Sequence, residues 1–589
     1  MKKIRWRIEH QDELLASHLS KKLGISPLLA KCLINRGYRD EKSAQLFLKP
    51  ELKNLKDPFL LSGIREAVER LFLALEKEEP LVIFGDYDVD GVTSTAILYD
   101  YLRKGGWDAY YYLPRRMEEG YGLSHDGVAN CLKKHPVKLI VAVDCGTNAV
   151  DVINELRKEG IDVIVLDHHQ PSMLLPCANA IVNPFVNKTL NLPEKDLPNY
   201  PSIFELVSAF QELCSVGIVF KLVHALTKRG RELGLGWANN SDIREYLDLV
   251  ALGTVADLAP LVGENRILVT AGLKKMNKNP SLGLATLIEV SNAPKPIGVY
   301  EIGFMLAPRL NAAGRLETAE DALHLLIAET EEEALPIAQR LDAKNHERQR
   351  IEYEIVEEAL ALIAKWFNPE EDYVIVEGNP DWHIGVVGIV ASRISQQMNR
   401  PTIIFGGEGN YLRGSARSID KFNIVSALSD CRDLLLKFGG HSMAAGVSIA
   451  PDKLSEFRKK LNSIAKSVLK TEDFIEEIDV DCEVELELLS LGNIEELERL
   501  KPFGIGNRPV SFFAKNLKHS RPLIRVGSER QHVKMWITDG NNTVEAVWWN
   551  GGNEILPVGR FDLLFTPQIN EFRNTRNVQL RVIDWRESE

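Results

Sequence analysis

Four short stretches of this chain carry metal-ligating side chains where a fold could gather them. The first, Gly85-Asp86-Tyr87-Asp88-Val89-Asp90-Gly91, holds three carboxylates within five residues. Like charges at that spacing repel one another, and a bound cation relieves them; a polar turn capping a helix that begins near Val92 is the ordinary alternative. The second is Asp144, which closes the apolar run Leu139-Ile140-Val141-Ala142-Val143 and taken alone is more commonly a helix cap. The third, Asp167-His168-His169, sets two imidazoles beside a carboxylate, a donor set that suits a borderline cation such as Mn²⁺; solvated loop histidines are the plain alternative. The fourth is Asp257, within the apolar stretch Gly253-Thr254-Val255-Ala256-Asp257-Leu258-Ala259-Pro260-Leu261. A buried carboxylate there is costly without a metal or a donor nearby. Each ordinary reading holds singly. Together the four, three of them at expected strand ends, offer oxygen and nitrogen ligands for two cations that share a bridging carboxylate. Such a pair generates hydroxide near neutral pH and stabilises in-line attack on phosphorus.

Other residues have phosphate or base chemistry. Arg115-Arg116-Met117-Glu118-Glu119-Gly120-Tyr121-Gly122, Arg309-Leu310-Asn311-Ala312-Ala313-Gly314-Arg315 and Gly414-Ser415-Ala416-Arg417 pair guanidinium groups with glycines or a hydroxyl. Arginine forks fit phosphate oxygens, although a surface salt bridge explains any single one. In Gly439-Gly440-His441-Ser442-Met443-Ala444-Ala445-Gly446 the glycines let backbone N–H groups approach a phosphate and His441 can donate to it; the alternative is a tight strand-to-helix turn. Near the C-terminus Trp536, Trp548, Trp549 and Phe572 could stack bases, with Arg525, Arg530, Lys534 and Arg573 along a phosphate backbone. Barrel core accounts equally well for those aromatics.

The elements that must position these groups alternate. Leu81-Val82-Ile83-Phe84, the run before Asp144 and Ile161-Asp162-Val163-Ile164-Val165-Leu166 are short buried strands, with helical patterns over 92–104 and 149–158 between them. That rhythm predicts a parallel, doubly wound sheet, with ligands at the carboxyl ends of its strands. The expected fold class is therefore α/β. The expected divisions are a helical N-terminal lead-in (1–75), a metal-bearing sheet domain (76–262), a helical connector (263–370) and a smaller α/β domain (371–469). Period-two segments such as Val533-Lys534-Met535-Trp536-Ile537 predict a C-terminal β-barrel over 470–589. Residues 187–210 form an unpatterned insertion.

The 589 residues carry a formal charge of −12, which weighs slightly against a polyanion partner, although a carboxylate-rich site contributes to it. Seven scattered cysteines without a CxxC pair fit a reducing cytoplasm. No apolar run reaches about 18 residues, so no membrane span is expected, and the basic start lacks the apolar stretch of a signal peptide.

In this order the four acidic stretches resemble motifs I to IV of the DHH phosphoesterases, a superfamily named for Asp167-His168-His169, and residues 439–446 resemble the GGHxxAxG signature of the DHHA1 domain that partners them. The first and fourth stretches are similar to the form found in the exonuclease branch, and Lys501-Pro502-Phe503-Gly504-Ile505-Gly506-Asn507 is similar to the entry of its OB fold. The resemblance implies a single-stranded-DNA-specific 5′-to-3′ exonuclease that releases 5′ mononucleotides in DNA repair and recombination. It implies one Mn²⁺ on Asp88 and Asp144 and a second on Asp90, Asp144, His168 and Asp257, with Mg²⁺ as the alternative ion. His169 would face the scissile phosphate, and Asp144 and Asp86 would share the catalytic work. Arg116, Arg315, Ser415 and Arg417 would hold the 5′ phosphate and neighbouring backbone, beside Gly439, Gly440 and His441. One departure is Phe84, in a slot where many members carry histidine; Asp86 or water would then complete the first cation site. A monomer working with a single-strand-binding protein and a helicase is the implied setting. The rival readings are a phosphodiesterase of short RNA or cyclic dinucleotides and a non-catalytic DNA-binding scaffold.

Overall fold

The computed structural model describes residues 4–10, 12–115, 118–120, 122–186, 210–572 and 575–588. The unpatterned insertion thus lies almost wholly outside the described residues. The chain forms two compact units, one of 46–347 with 502–508 and one of 1–45, 348–501 and 509–589.

The first unit is built on a parallel sheet. Its elements run β1 (Leu81–Gly85), α1 (Val89–Gly105), β2 (Ala109–Tyr112), β3 (Leu139–Val143), β4 (Asp162–Leu166) and β5 (Ala180–Val182). The spatial order is β2-β1-β3-β4-β5, and every ladder is parallel. β1 and β3 are buried along their whole length, because helices cover both faces of such a sheet, and this is why they read as unbroken apolar runs. The strand order reverses between β1 and β3, so their carboxyl ends flank the crevice where open α/β sheets take ligands. Helices α2 (Ser215–Glu232), α3 (Leu247–Ala256) and α4 (Ala307–Leu316) complete the parts of this unit that matter for the site. The expected helix over 92–104 starts earlier, at Val89, so Asp90 lies in its first turn rather than in the preceding loop. The part of the connector after Ala319 resolves into Glu320–Leu326 and α5 (Glu331–Ile363), whose 33 residues span about 50 Å at 1.5 Å each.

The second unit holds a mixed sheet and a barrel. The mixed sheet contains β6 (Ile375–Asn379), β7 (Thr402–Glu408), β8 (Tyr411–Arg417), β9 (Leu435–His441) and β10 (Ala444–Ile449), in the order β9-β10-β8-β7-β6. Alternation divides its side chains between two cores. Val376, Ile403 and Phe405 pack under Phe457 and Leu461, while Ile375 and Ile404 meet Ile355 and Ala359 of α5. The barrel strands are β11 (Phe512–Val526), β12 (His532–Thr538), β13 (Thr543–Trp548), β14 (Phe561–Phe572) and β15 (Thr575–Glu587). Their ladders run β11-β12-β13-β15-β14, and β14 also pairs with the first half of β11. β11 is missing from the sequence-based strands because its second half, Lys518 to Val526, is largely exposed and basic. The expected helical lead-in also contains a strand: Ile4–Ile8 pairs in parallel with Glu476–Val480.

Candidate metal centre

Three of the acidic stretches follow strands of the first unit's sheet and the fourth follows helix α3, and all four arrive at the same crevice. Asp86 follows β1 and is fully buried. Asp88 caps α1, its Oδ1 accepting from the Gly91 N–H at 3.1 Å. Asp90 is buried in the first turn of α1 and spans the N-terminus of α2: Oδ2 accepts from the Ser215 N–H and Oδ1 from the Val216 N–H, both at 2.8 Å. A carboxylate at a helix N-terminus meets unpaired N–H groups and the positive end of the dipole. Asp144, at the end of β3, sits at φ 62°, a conformation that costs a non-glycine residue energy and occurs where function demands it. The Ser215 hydroxyl donates to Asp144 Oδ1 at 3.0 Å. Asp257 is the C-cap of α3. It reaches the crevice because Gly253 lets α3 approach α1 and α2; a Cβ on Gly253 would lie 2.4 Å from Thr93 Oγ1 and 2.9 Å from Val216 Cγ1.

The two histidines differ in role by their bonding. Asp167 accepts from the backbone N–H groups of His168 (2.8 Å), His169 (3.2 Å) and Thr147 (3.0 Å), and from His169 Nδ1 at 2.7 Å. Burial alone would lower the His169 pKa, but the bond and charge of Asp167 overrule it and lift the imidazole to about 9. The same bonds hold Asp167 well below the usual carboxylate range despite burial. His168 is pushed down to about 4 by burial and the neighbouring imidazolium, so it is neutral near pH 7 and suited to ligation. Its Nε2 lies 3.4 Å from Asp144 Oδ1 and 3.9 Å from both Asp90 Oδ2 and Asp257 Oδ2.

Among the described residues, three donor sets have their atoms within 4.8 Å of one another: Asp86, Asp88 and Asp144; Asp90, His168 and Asp257; and Asp144, His168 and His169. Asp144 belongs to two of them, as a bridging group would. Burial, with repulsion from Asp88, raises the carboxyl pKa of Asp90 and Asp144; burial, Asp90 and Asp88 raise that of Asp257. Carboxyl groups buried this close together resist ionising until a cation neutralises them, so the residues fit a pair of divalent ions. Phe84, in the usual histidine slot, is buried against Tyr112 with ring centroids 5.4 Å apart, in the apolar layer rather than among the donors.

Residue spacing did not reveal Ser215, Thr147 or Asn183. Asn183 Nδ2 donates to Thr147 Oγ1 (3.0 Å) and to the His169 carbonyl (2.9 Å), which steadies the loop carrying His169. Ser215 had a signal in hindsight, a small hydroxyl residue opening the apolar pattern of α2.

The phosphate candidates fall in both units. Arg315 lies in the last turn of α4, where Gly314 abuts Tyr87: a Cβ there would lie 2.9 Å from the Tyr87 carbonyl oxygen. Arg116 lies outside the described residues. In the second unit, register aligns Gly439 with Gly446 and Ser415, and His441 with Ala444 and Arg417, so by alternation these side chains share one sheet face. The Arg417 guanidinium is held there, donating to Ser415 Oγ (2.9 Å) and Ser392 Oγ (3.0 Å). The glycine pair belongs to a β-hairpin, not to a strand-to-helix turn, and Gly440 packs on Ala444, whose carbonyl oxygen a Cβ would meet at 2.4 Å. In the barrel, Trp536 carries the Arg521 guanidinium 3.5 Å over its ring, whereas Trp548 is only 9% exposed. The Phe572 side chain and Arg573 lie outside the described residues. Lys501–Asn507, expected to open the barrel, mostly groups instead with the first unit.

Family models match in three places: the N-terminal domain of the DHH family over 80–254, the DHHA1 domain over 371–467 and the RecJ OB domain over 480–584. Among curated proteins, the single-stranded-DNA-specific exonuclease RecJ of Bacillus subtilis is 37% identical over 99% of this chain and 71% of its own length. The RecJ of Dickeya dadantii is 36% identical over 94% and 95%, and that of Escherichia coli 34% over 95% and 96%. Among solved structures, RecJ from Thermus thermophilus in complex with Mn²⁺ is 29% identical with a TM-score of 0.82, covering 100% of this chain and 80% of that one. Its complex with Mg²⁺ gives 28% and 0.75, covering 100% and 79%. With this identity spread over nearly the whole length of its relatives from Dickeya and Escherichia, the chain belongs to the RecJ family of DHH–DHHA1 proteins.

Proposed function

We propose that the protein hydrolyses single-stranded DNA from its 5′ end and releases 5′ mononucleotides. The observation that carries this reading is the meeting of Asp86, Asp88, Asp90, Asp144, His168, His169 and Asp257 in one crevice, in a chain whose relatives bear the name single-stranded-DNA-specific exonuclease. Asp88 and Asp144 hold one divalent cation, and Asp90, Asp144, His168 and Asp257 hold the other. Mn²⁺ or Mg²⁺ bound there lowers the pKa of water and neutralises charge that builds up on the phosphate.

The chain's own groups do the rest. Ser215 and the first N–H groups of α2 fix the directions of Asp144 and Asp90, so the ligands are set before substrate arrives. His169, kept protonated by Asp167, presents a cation to a phosphate oxygen through its other ring nitrogen. Asp86 adds a third carboxylate to the set lacking an imidazole. Arg116, Arg315, Ser415 and Arg417 anchor the 5′ phosphate and adjoining backbone, and Gly439, Gly440 and His441 offer further contacts. Of the expected barrel rings, the half-exposed Trp549 offers surface for stacking, and Trp536, covered on one side by Arg521, is partly exposed. On family grounds the work belongs to DNA repair and recombination in the cytoplasm, beside a single-strand-binding protein and a helicase. No described helix is long and apolar enough to cross a membrane.

The test is digestion of 5′-labelled single-stranded DNA with Mn²⁺, comparing the parent with Asp144→Ala. Immediate release of labelled mononucleotide by the parent alone is expected. Release of internal fragments, or activity only on oligomers of two to five nucleotides, would overturn the reading, and tight DNA binding without cleavage would favour a scaffold.

A further inference from the structure

The segment after Lys501 leaves the β-rich unit and packs on the loop that follows Asp257. The Leu261 N–H donates to the Ile505 carbonyl at 2.7 Å. Gly504 and Asn507 bond to each other's backbone, and Asn507, 1% exposed, donates through Nδ2 to the Pro502 carbonyl at 2.8 Å, closing a tight turn. The turn fits closely. A Cβ on Gly504 would lie 2.7 Å from Leu261 Cδ1, and one on Gly506, whose φ is +74°, would lie 3.1 Å from Pro260 Cβ. From the other side Asn265 Nδ2 donates to the Pro260 carbonyl at 3.1 Å. The loop held this way carries strain where it meets the candidate ligand, since Leu258, next to Asp257, sits at φ 59°. A β-branch-free but bulky residue in that conformation persists only where its surroundings impose it.

We infer that Pro502–Asn507 is a positioning strap for Asp257: its hold on Pro260 and Leu261 sets the angle at which the α3 C-cap carboxylate enters the crevice, and thereby the affinity of the cation site that Asp90, His168 and Asp257 form. The strap meets Pro260, Leu261 and Val262, C-terminal to Asp257. It acts as outer-shell partners of metal ligands do, and their loss typically costs 10- to 100-fold in metal affinity. The strap stands in the chain between Lys501 and Pro509, the residues that bound it in the β-rich unit. The inference rests on the two-cation reading above.

The experiment is Mn²⁺ titration of the full chain by calorimetry, for the parent, Gly506→Ala and Asn507→Ala, with Tm in chelator as the check of folding. Gly506→Ala pushes the turn away from Pro260, and Asn507→Ala opens it without adding atoms. The parent should bind two Mn²⁺. Both variants should weaken one site about 10- to 100-fold and spare the other, whatever their effect on Tm; a lower Tm with both affinities unchanged would mean a purely structural role and overturn the strap. A parent that binds no Mn²⁺ would sink the cation reading itself. Should both variants fail to fold, the parent still decides. Because coupling is reciprocal, saturating Mn²⁺ must slow amide exchange across 502–508, and unchanged exchange there, with Mn²⁺ bound, overturns the inference.

Discussion

Single residues around the crevice divide into groups that could meet a cation and groups that aim them, and the two kinds fail differently. Ser215 donates one hydrogen bond to Asp144. Ser215→Ala should weaken Mn²⁺ binding roughly 10- to 100-fold and be rescued by excess Mn²⁺, as titration of nuclease rate against metal would read. Asp167 acts on His169 through charge. The His169 pKa is raised to about 9, so its protonated form persists below that value and is lost as pH rises through it. Asp167→Asn removes the charge that raises it, and the alkaline fall in rate should move to lower pH. A pH–rate profile unchanged by Asp167→Asn would remove His169 as the cationic contact.

At the scale of elements, the helix Ile64–Glu76 is fastened to the sheet by Arg70, which donates to Asp162 Oδ2 and Glu79 Oε2, both at 2.6 Å, while only 9% exposed. Arg70→Ala leaves two carboxylates facing a cavity and should lower stability by about 1–3 kcal/mol in a urea melt. Burial raises the Asp162 carboxyl, but Arg70, Asn179 and Arg157 outweigh it, so its folded pKa is depressed. A depressed pKa gives stability that is present above the unfolded value of about 3.9 and lost as pH falls through the folded one, so the gap between parent and variant should narrow in acid. Strands β1, β3 and β4 of this sheet were legible because burial on both faces writes unbroken apolar runs; β11 was not, because half of it faces solvent.

For the whole molecule, cation binding and folding are linked. Ions that bind only the folded crevice stabilise it by about 2.7 kcal/mol at a hundred times Kd. Mn²⁺ should therefore raise the Tm of the parent, and Asp144→Ala, having lost the group common to two donor sets, should lose most of that shift. Calorimetric scans with Mn²⁺ and with chelator measure both. The charge of −12 is compatible with a DNA partner because the carboxylates that contribute to it at the crevice are those that cations would cover.

The sequence by itself determined which side chains are candidates for donors, and the chemistry such types would support. Asp88, Asp90, Asp144, His168 and Asp257 could be picked out because carboxylates and imidazoles beside apolar runs are costly unless something compensates them, and all but Asp257 lie just after expected strand ends. The Gly439-Gly440 run announced a close backbone approach, but not the hairpin that makes it, because a glycine pair permits several turns. Only the tertiary structure decided how the donors are aimed. The Ser215 hydroxyl on Asp144, the α2 amides on Asp90 and the placing of Pro502–Asn507 against the Asp257 loop join residues more than seventy positions apart. No local pattern records such contacts, since they arise when distant elements pack and each buried donor must find an acceptor.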